Sequence, residues 1–161
     1  MILLLKCKPQ VFFFLKKQYG EQMKLSETDT VSSFIFNTLI HNRSNSFHDN
    51  KLKNYTCYYP IKISNYMYDK HSIKKFSSLS TRAINKYIDT LFELAFYLFM
   101  MHKIHVDELK KKSAIEEFMQ LYNIDEDIYS FEALNKDYFR FEKGDKKEIE
   151  KMIKKIPVHL S

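Results

Sequence analysis

The hydrophobic positions of the first forty residues predict short strands and one long helix. Two apolar runs, residues 2–5 and 11–15, are separated by a short polar segment. This pattern is typical of two short strands, or of one strand leading into a helix. Ser26 is then the expected N-cap of a helix of about four turns. The core residues expected from this helix are Phe34, Ile35 and Leu39.

A polar segment and a β-prone segment follow. Residues 41–54 are rich in Asn and Ser, which predicts a loop because these side chains compete for backbone hydrogen bonds. Residues 55–63 favour a short strand with Tyr59, Ile61 and Ile63 on one face. Pro60 has no N–H to donate, so the strand is expected at the edge of a sheet.

Two more helices are predicted between residues 64 and 96. Ser64 or Asn65 can cap the first, which would run to about Lys75, and Ser80 is the expected N-cap of the second. The core residues expected from the first are Tyr66, Met67, Ile73 and Phe76. In the second helix the apolar positions recur at helical spacing: Ile84, Ile88, Leu91 and Ala95.

The chain beyond Phe96 has two interpretations. Residues 97–106 are apolar enough for a strand, which we favour, but nothing between Leu91 and Lys112 breaks a helix. Residues 113–134 then predict two amphipathic helices, joined by an acidic turn at residues 125–127, and a last, largely solvated helix is expected over residues 148–156.

The composition favours a helix-rich domain and argues against several classes of protein. The 161 residues are 45% hydrophobic, enough for a core, and contain only 2 Gly, which disfavours Gly-rich phosphate loops. The apolar runs are too short for a signal peptide or a membrane span. With only two cysteines the chain fits a reducing cytoplasm, so a cytoplasmic protein is expected. Cys7 and Cys57 are far apart and lack CxxC spacing, which indicates neither a disulfide framework nor a zinc knuckle.

The charge is distributed unevenly along the chain. The net charge is +6, and residues 41–112 carry 13 basic and 6 acidic groups, against 8 and 11 in residues 113–161. A surplus of +7 in the middle of the chain is typical of a surface that binds phosphates, although a solvated Lys-rich surface gives the same counts.

Residues 80–91 resemble the recognition helix of winged helix-turn-helix domains, as found in regulators and in phage or plasmid replication proteins. The pattern is Ser-x-Arg-x-Ile-x-Lys-x-Ile-x-x-Leu, and its positions here are Ser80, Arg82, Ile84, Lys86, Ile88 and Leu91. The resemblance covers roughly residues 24–100, because the preceding helix, loop and strand come in the order that such domains use.

The resemblance implies a mainly α fold with a small β component (α+β). A winged helix-turn-helix-like three-helix core would occupy residues 1–112, and a helical extension residues 113–161. It also implies sites on double-stranded DNA. The residues expected to reach base edges are Thr81, Arg82, Asn85 and Lys86. Those expected to contact phosphates are Lys74, Lys75, Arg43 and Lys103.

The function that follows is that of a sequence-specific DNA-binding protein without enzymatic activity or cofactor. It would act in transcription regulation or as an accessory factor in the DNA replication of a phage or mobile element. The acidic C-terminal helices would serve homodimerisation or the docking of a partner.

Three alternatives remain open at this stage. A structural or interaction protein, such as a virion or assembly component, would expose apolar surface on Phe92, Phe96, Phe99 and Met100. Single-stranded bases could stack on the tyrosines at positions 55, 58, 59, 66 and 68. An enzyme would need a deep pocket with convergent titratable groups. No metal site is expected, because His102 and His105 lack a convincing third ligand.

Overall fold

The computed structural model describes residues 1–26, 28–41, 52–71 and 75–144. The elements in chain order are β1 (Ile2–Cys7), α1 (Pro9–Tyr19), β2 (Met23–Lys24), α2 (Thr30–His41), β3 (Cys57–Lys62), α3 (Asn65–His71), α4 (Ser78–His105), α5 (Lys111–Tyr122) and α6 (Phe131–Gly144). The fold is mainly helical with a small three-stranded sheet, which confirms the α+β prediction. The chain forms two compact units, Met1–Ile88 and Asp89–Ser161, a boundary that differs from the expected one after residue 112.

The N-terminal apolar runs form a strand followed by a helix, the second of the two interpretations. Leu3, Leu5 and Cys7 alternate into the core along β1. Pro9 then suits the first turn of α1, where no intrahelical N–H donor is needed. Gly20 closes α1 with a φ of 76°, a left-handed value that glycine adopts without a Cβ penalty, and its N–H donates to the Lys16 carbonyl at 2.9 Å.

The strand at residues 57–62 is central in the sheet, so the edge position expected from Pro60 is wrong. The strand order is β1-β3-β2, with β3 antiparallel to β1 and parallel to β2. Tyr59, Ile61 and Ile63 are buried, as predicted. α1 packs on this face, where the Tyr59 hydroxyl donates to the Gly20 carbonyl at 2.9 Å.

The ladder explains how a central strand tolerates a proline. Met1 and Ile63, at the ends of the paired strands, exchange two backbone hydrogen bonds. Along an antiparallel ladder, residue pairs joined by two hydrogen bonds alternate with residue pairs joined by none. Pro60 faces Leu4 in one of the latter pairs, so its nitrogen points away from β1. β2 starts to pair only at Ile61, so the missing donor interrupts no ladder hydrogen bond.

α2 is capped by Asp29 and not, as predicted, by Ser26. The Asp29 carboxylate accepts a hydrogen bond from the Ser32 N–H at 2.7 Å, the bond that defines an N-cap, and another from the Tyr19 hydroxyl at 2.7 Å. The Ser26 hydroxyl instead accepts from the Thr28 N–H, in a local turn before the helix.

The serine predicted to cap α3 does so, whereas α4 is capped by a different serine from the predicted one. Ser64 caps α3 by accepting from the Met67 N–H at 3.1 Å, which confirms one of the two candidates. Ser77 caps α4 by accepting from the Ser80 N–H at 3.0 Å, so Ser80 lies inside the first turn and the prediction of its capping role is wrong.

The predicted core residues of α2 and α3 are confirmed only in part. Ile35, Leu39 and Phe76 are buried, whereas Phe34 and Met67 are half-buried. Tyr66 is 66% exposed, so its predicted core position is wrong. Ile73 and the helix predicted over residues 148–156 lie outside the described residues, as does most of the predicted loop.

α4 continues unbroken to His105, so the strand favoured for residues 97–106 is wrong. No glycine or proline interrupts the segment, and buried side chains recur every four residues, which is a helical spacing. The residues in this row are Ile84, Ile88, Phe92, Phe96 and Met100. Up to residue 144 the described chain after α4 contains helices and no strand, so the wing implied by the resemblance is absent from that part.

In the first unit, Asn85 joins α4 to the outer edge of β1. Its side-chain oxygen accepts from the Lys8 N–H at 2.9 Å, and its nitrogen donates to the carbonyls of Lys6 at 3.1 Å and Thr81 at 2.8 Å. Because Leu5 and Cys7 bond to β3, the backbone groups of Lys6 and Lys8 point away from the sheet. The amide of Asn85 therefore pairs with this edge as the peptide group of another strand would.

The second unit is held together by aromatic side chains. It contains two helices as predicted, but the second begins at Phe131 and extends to Gly144, beyond the predicted end at residue 134. Phe118 of α5 is fully buried and lies with its ring centroid 4.8 Å from that of Phe96 and 4.6 Å from that of Tyr122. Tyr97 stacks on Phe141 of α6 at 4.1 Å. Residues 89–105 of α4 thus pack with α5 and α6 in one core.

We predict that Asn85→Ala lowers the free energy of unfolding by about 2 to 4 kcal/mol, because it removes the hydrogen bonds to the part-buried N–H of Lys8 and carbonyl of Lys6. Urea unfolding followed by circular dichroism measures the change. Arg82→Ala, an exposed residue one turn earlier on α4, is the control and should change stability by no more than about 0.5 kcal/mol. Equal stability of the two variants would contradict the edge-pairing role.

Candidate nucleic-acid interface

The two compact units carry opposite net charges. Residues 1–88 contain 14 basic and 5 acidic side chains, a net charge of +9, whereas residues 89–161 contain 12 and 15, a net charge of −3. The basic surplus found in the middle of the sequence therefore belongs to the unit that contains the sheet. A polyanion would be attracted to this unit and repelled by the other.

Two of the four residues expected to read bases lie on the exposed side of α4. Arg82 and Lys86 are both exposed and lie four residues apart, hence on one helical face. Leu79, one turn before Arg82, is 52% exposed and continues that face. Among the described residues, Arg82 has no ion pair with a carboxylate.

The other two, Thr81 and Asn85, are buried at 1% and 0% exposure, so their predicted contact with base edges is wrong. The spacing of Thr81, Ile84, Asn85 and Ile88 is three, one and three residues, which puts all four on the inward face of α4. The polar character of Thr81 and Asn85 suggested a solvated face. The Asn85 side chain instead bonds to backbone groups of the first unit, one of which is the Thr81 carbonyl.

The structure adds Lys6 and Lys8 to this region. Asn85 bonds to the backbone of both, so residues 6 and 8 lie next to the segment of α4 that carries Arg82 and Lys86. The side chains of Lys6 and Lys8 are half-buried. No sequence signal connects residues 6–8 with residues 82–86, because the connection is made by tertiary hydrogen bonds. We call Lys6, Lys8, Arg82 and Lys86 the α4 basic region.

The phosphate-contact candidates have different outcomes. Lys75 is exposed just before α4, as a phosphate contact requires. Lys103 lies in the acidic unit, and its ammonium is 2.9 Å from the Asp107 carboxylate and 3.0 Å from that of Glu117, so it is no longer a phosphate candidate. These two hydrogen bonds raise the pKa of Lys103, and the bond to Asp107 makes the larger contribution. Lys74 and Arg43 lie outside the described residues.

The interaction-protein alternative named four apolar side chains of α4, and the structure leaves none of them fully exposed. Phe92, Phe96 and Met100 are buried and Phe99 is half-buried, so the exposed apolar surface expected of an interaction protein is missing at these positions. His102 lies 3.8 Å from Asp107, but in the part of the chain with assigned positions no three His, Cys, Asp or Glu side chains come together as a metal site needs.

Cys7 and Cys57 are distant in sequence but face each other across β1 and β3. Cys7 is buried and Cys57 is half-buried, and both are free thiols. Burial, with a smaller contribution from the neighbouring Cys57, raises the pKa of the Cys7 thiol well above its usual range. The sequence spacing gave no sign of this pair, because strand pairing alone brings it together.

No protein-family model, curated protein or solved structure matches this chain. None of the helices in the described ranges combines the length and apolar character needed to cross a bilayer.

We predict that a maleimide reagent at about pH 8 modifies Cys57 at least about tenfold faster than Cys7, because the thiolate is the reactive form and Cys7 is both buried and held protonated. Peptide mass spectrometry over time measures the two rates. In urea the two rates should converge. Cys57→Ser should remove the fast phase, and a fast phase that survives this substitution would contradict the assignment.

Proposed function

We propose that this chain is a non-enzymatic DNA-binding protein that contacts duplex DNA through its basic first unit. The observation that carries the proposal is the coincidence of two features in residues 1–88: a net charge of +9, and two exposed cations on one face of the first turns of α4. A helix presenting arginine and lysine on an exposed face is the element that the major groove accommodates.

Within this proposal, Arg82 is the residue for direct contact with a base. Arginine pairs through two hydrogen bonds with guanine, and Arg82 lies within the first two turns of α4, as the reading residues of a recognition helix do. Phosphates are contacted by four lysines: Lys6, Lys8, Lys75 and Lys86. With Thr81 and Asn85 committed to the core, the reading surface is narrower than the resemblance implied, so sequence preference rests on fewer contacts.

The process served by such binding is transcription regulation or replication of a phage or mobile element, as the resemblance implies. The acidic second unit is proposed to bind a partner or a second copy of the chain rather than DNA. Its net charge of −3 supports this role, because it repels a polyanion.

We predict that Arg82→Ala weakens binding to a preferred duplex by about 1 to 3 kcal/mol and relaxes its sequence preference. Lys86→Ala should weaken binding to all duplexes alike and lower the slope of log K against log salt by about 1. Fluorescence anisotropy on genomic duplex fragments, selected over two or three rounds and measured at several salt concentrations, gives both quantities.

The matched control is Lys136→Ala, which removes one exposed positive charge from the acidic unit and should leave affinity within about twofold. An equal loss of duplex affinity in Lys136→Ala and Arg82→Ala would mean that binding depends on net charge alone, and it would contradict a specific role for Arg82. Absence of duplex binding by the wild-type chain at about 50 mM salt would remove the proposal altogether.

A further inference from the structure

One face of the sheet in the first unit carries exposed apolar side chains among the residues that the structure describes. The side chains of Tyr59 and Ile61 point toward α1 and the core, so the side chains between them point to the opposite face. On that face Ile2 is 56%, Leu4 61% and Tyr58 55% exposed. An exposed apolar surface of this kind on a folded unit marks a binding site more often than a packing defect.

The strand register arranges these side chains in a compact grid with lysines at its margins. Leu4 faces Pro60, Ile2 faces Lys62, Lys6 faces Tyr58, and Lys24 lies beside Lys62 on the other side of β3. The sheet positions on this face are Ile2, Leu4, Lys6, Lys24, Tyr58, Pro60 and Lys62. None of them is acidic. We call this grid the open sheet face.

We propose that the open sheet face binds a single-stranded polynucleotide. Tyr58 offers a ring on which one base stacks, Leu4 and Pro60 continue the flat apolar surface for a neighbouring base, and Lys6, Lys24 and Lys62 contact the phosphates along the grid. Base stacking on aromatic side chains beside a positively charged groove is the general means of binding single strands without strong sequence preference.

The charges favour this occupant over the others. A second copy of the chain docked face to face would bring two sets of three lysines together, in units that each have a net charge of +9. Repulsion between these charges would destabilise such a dimer, whereas a polyanion would be attracted to them. A duplex keeps the faces of its bases inside its own stack, so it gains nothing from Tyr58 and Leu4. This surface shares only Lys6 with the α4 basic region. Tyr58 and Leu4 belong to the open sheet face alone, and Arg82 belongs to the α4 basic region alone, so variants of these residues separate the inference from the duplex proposal.

The test compares Tyr58→Ala with Tyr66→Ala. Both tyrosines are exposed, at 55% and 66%, but Tyr66 lies on α3 and not on the sheet. Anisotropy with labelled oligo-dT and oligo-rU of about 20 nucleotides at about 50 mM salt should show a loss of about 5- to 150-fold for Tyr58→Ala. Tyr66→Ala should remain within about twofold of wild type, and Tyr58→Phe should retain the affinity because the ring is kept. The two oligonucleotides distinguish DNA from RNA as the ligand.

Duplex binding separates this inference from the proposed function. Tyr58→Ala should leave the affinity for duplex DNA unchanged, and Arg82→Ala should change the affinity for oligo-dT by no more than about twofold. Three results would overturn the inference: no binding of either oligonucleotide, equal losses for the two tyrosine variants, or sedimentation showing a dimer that Leu4→Asp converts to a monomer. Circular dichroism of each variant verifies folding, which substitutions at these exposed positions should preserve.

Discussion

The first unit depends on how the outer edge of β1 is satisfied. β1 is an edge strand, and the outward carbonyl of Lys6 and the N–H of Lys8, directly after the strand, would be costly to bury alone. A single side-chain amide from α4, that of Asn85, takes the place of a neighbouring peptide group. This arrangement ends the sheet with a helix instead of a fourth strand. It also fixes the start of α4 against the sheet and thereby places Arg82 and Lys86 outward.

Much of the fold was predictable because its signals are local. The strand-to-helix change before Pro9, the buried alternation of β3, the Ser64 cap and the two helices after residue 110 are each determined by residues within a turn or two of one another. The signals that failed were of another kind. The tolerance for Pro60 follows from where β2 begins to pair. Residues 97–101 are all apolar, so strand and helix periods fit this run equally.

The site was predicted less well than the fold, for a related reason. A threonine or an asparagine on a helix looks solvated until its partner is known, and the partners of Asn85 on β1 are 77 and 79 residues away. Arginine and lysine are safer guides, because their charge is rarely buried without a counter-ion. Thus Arg82 and Lys86 are exposed as expected. Lys103 instead pairs with carboxylates, and one of them, Glu117, lies on the next helix.

The boundary between the two units lies within α4 and not in a loop. Cleavage between residues 88 and 89 would leave as many as four unpaired carbonyls on one fragment and four unpaired N–H groups on the other. Each fragment would also keep only part of a helix whose apolar row continues into both cores. Because no linker separates the two units, a truncated fragment would always end in a broken helix. A loss of function in such a fragment would therefore reflect fraying of α4 as much as removal of the other unit.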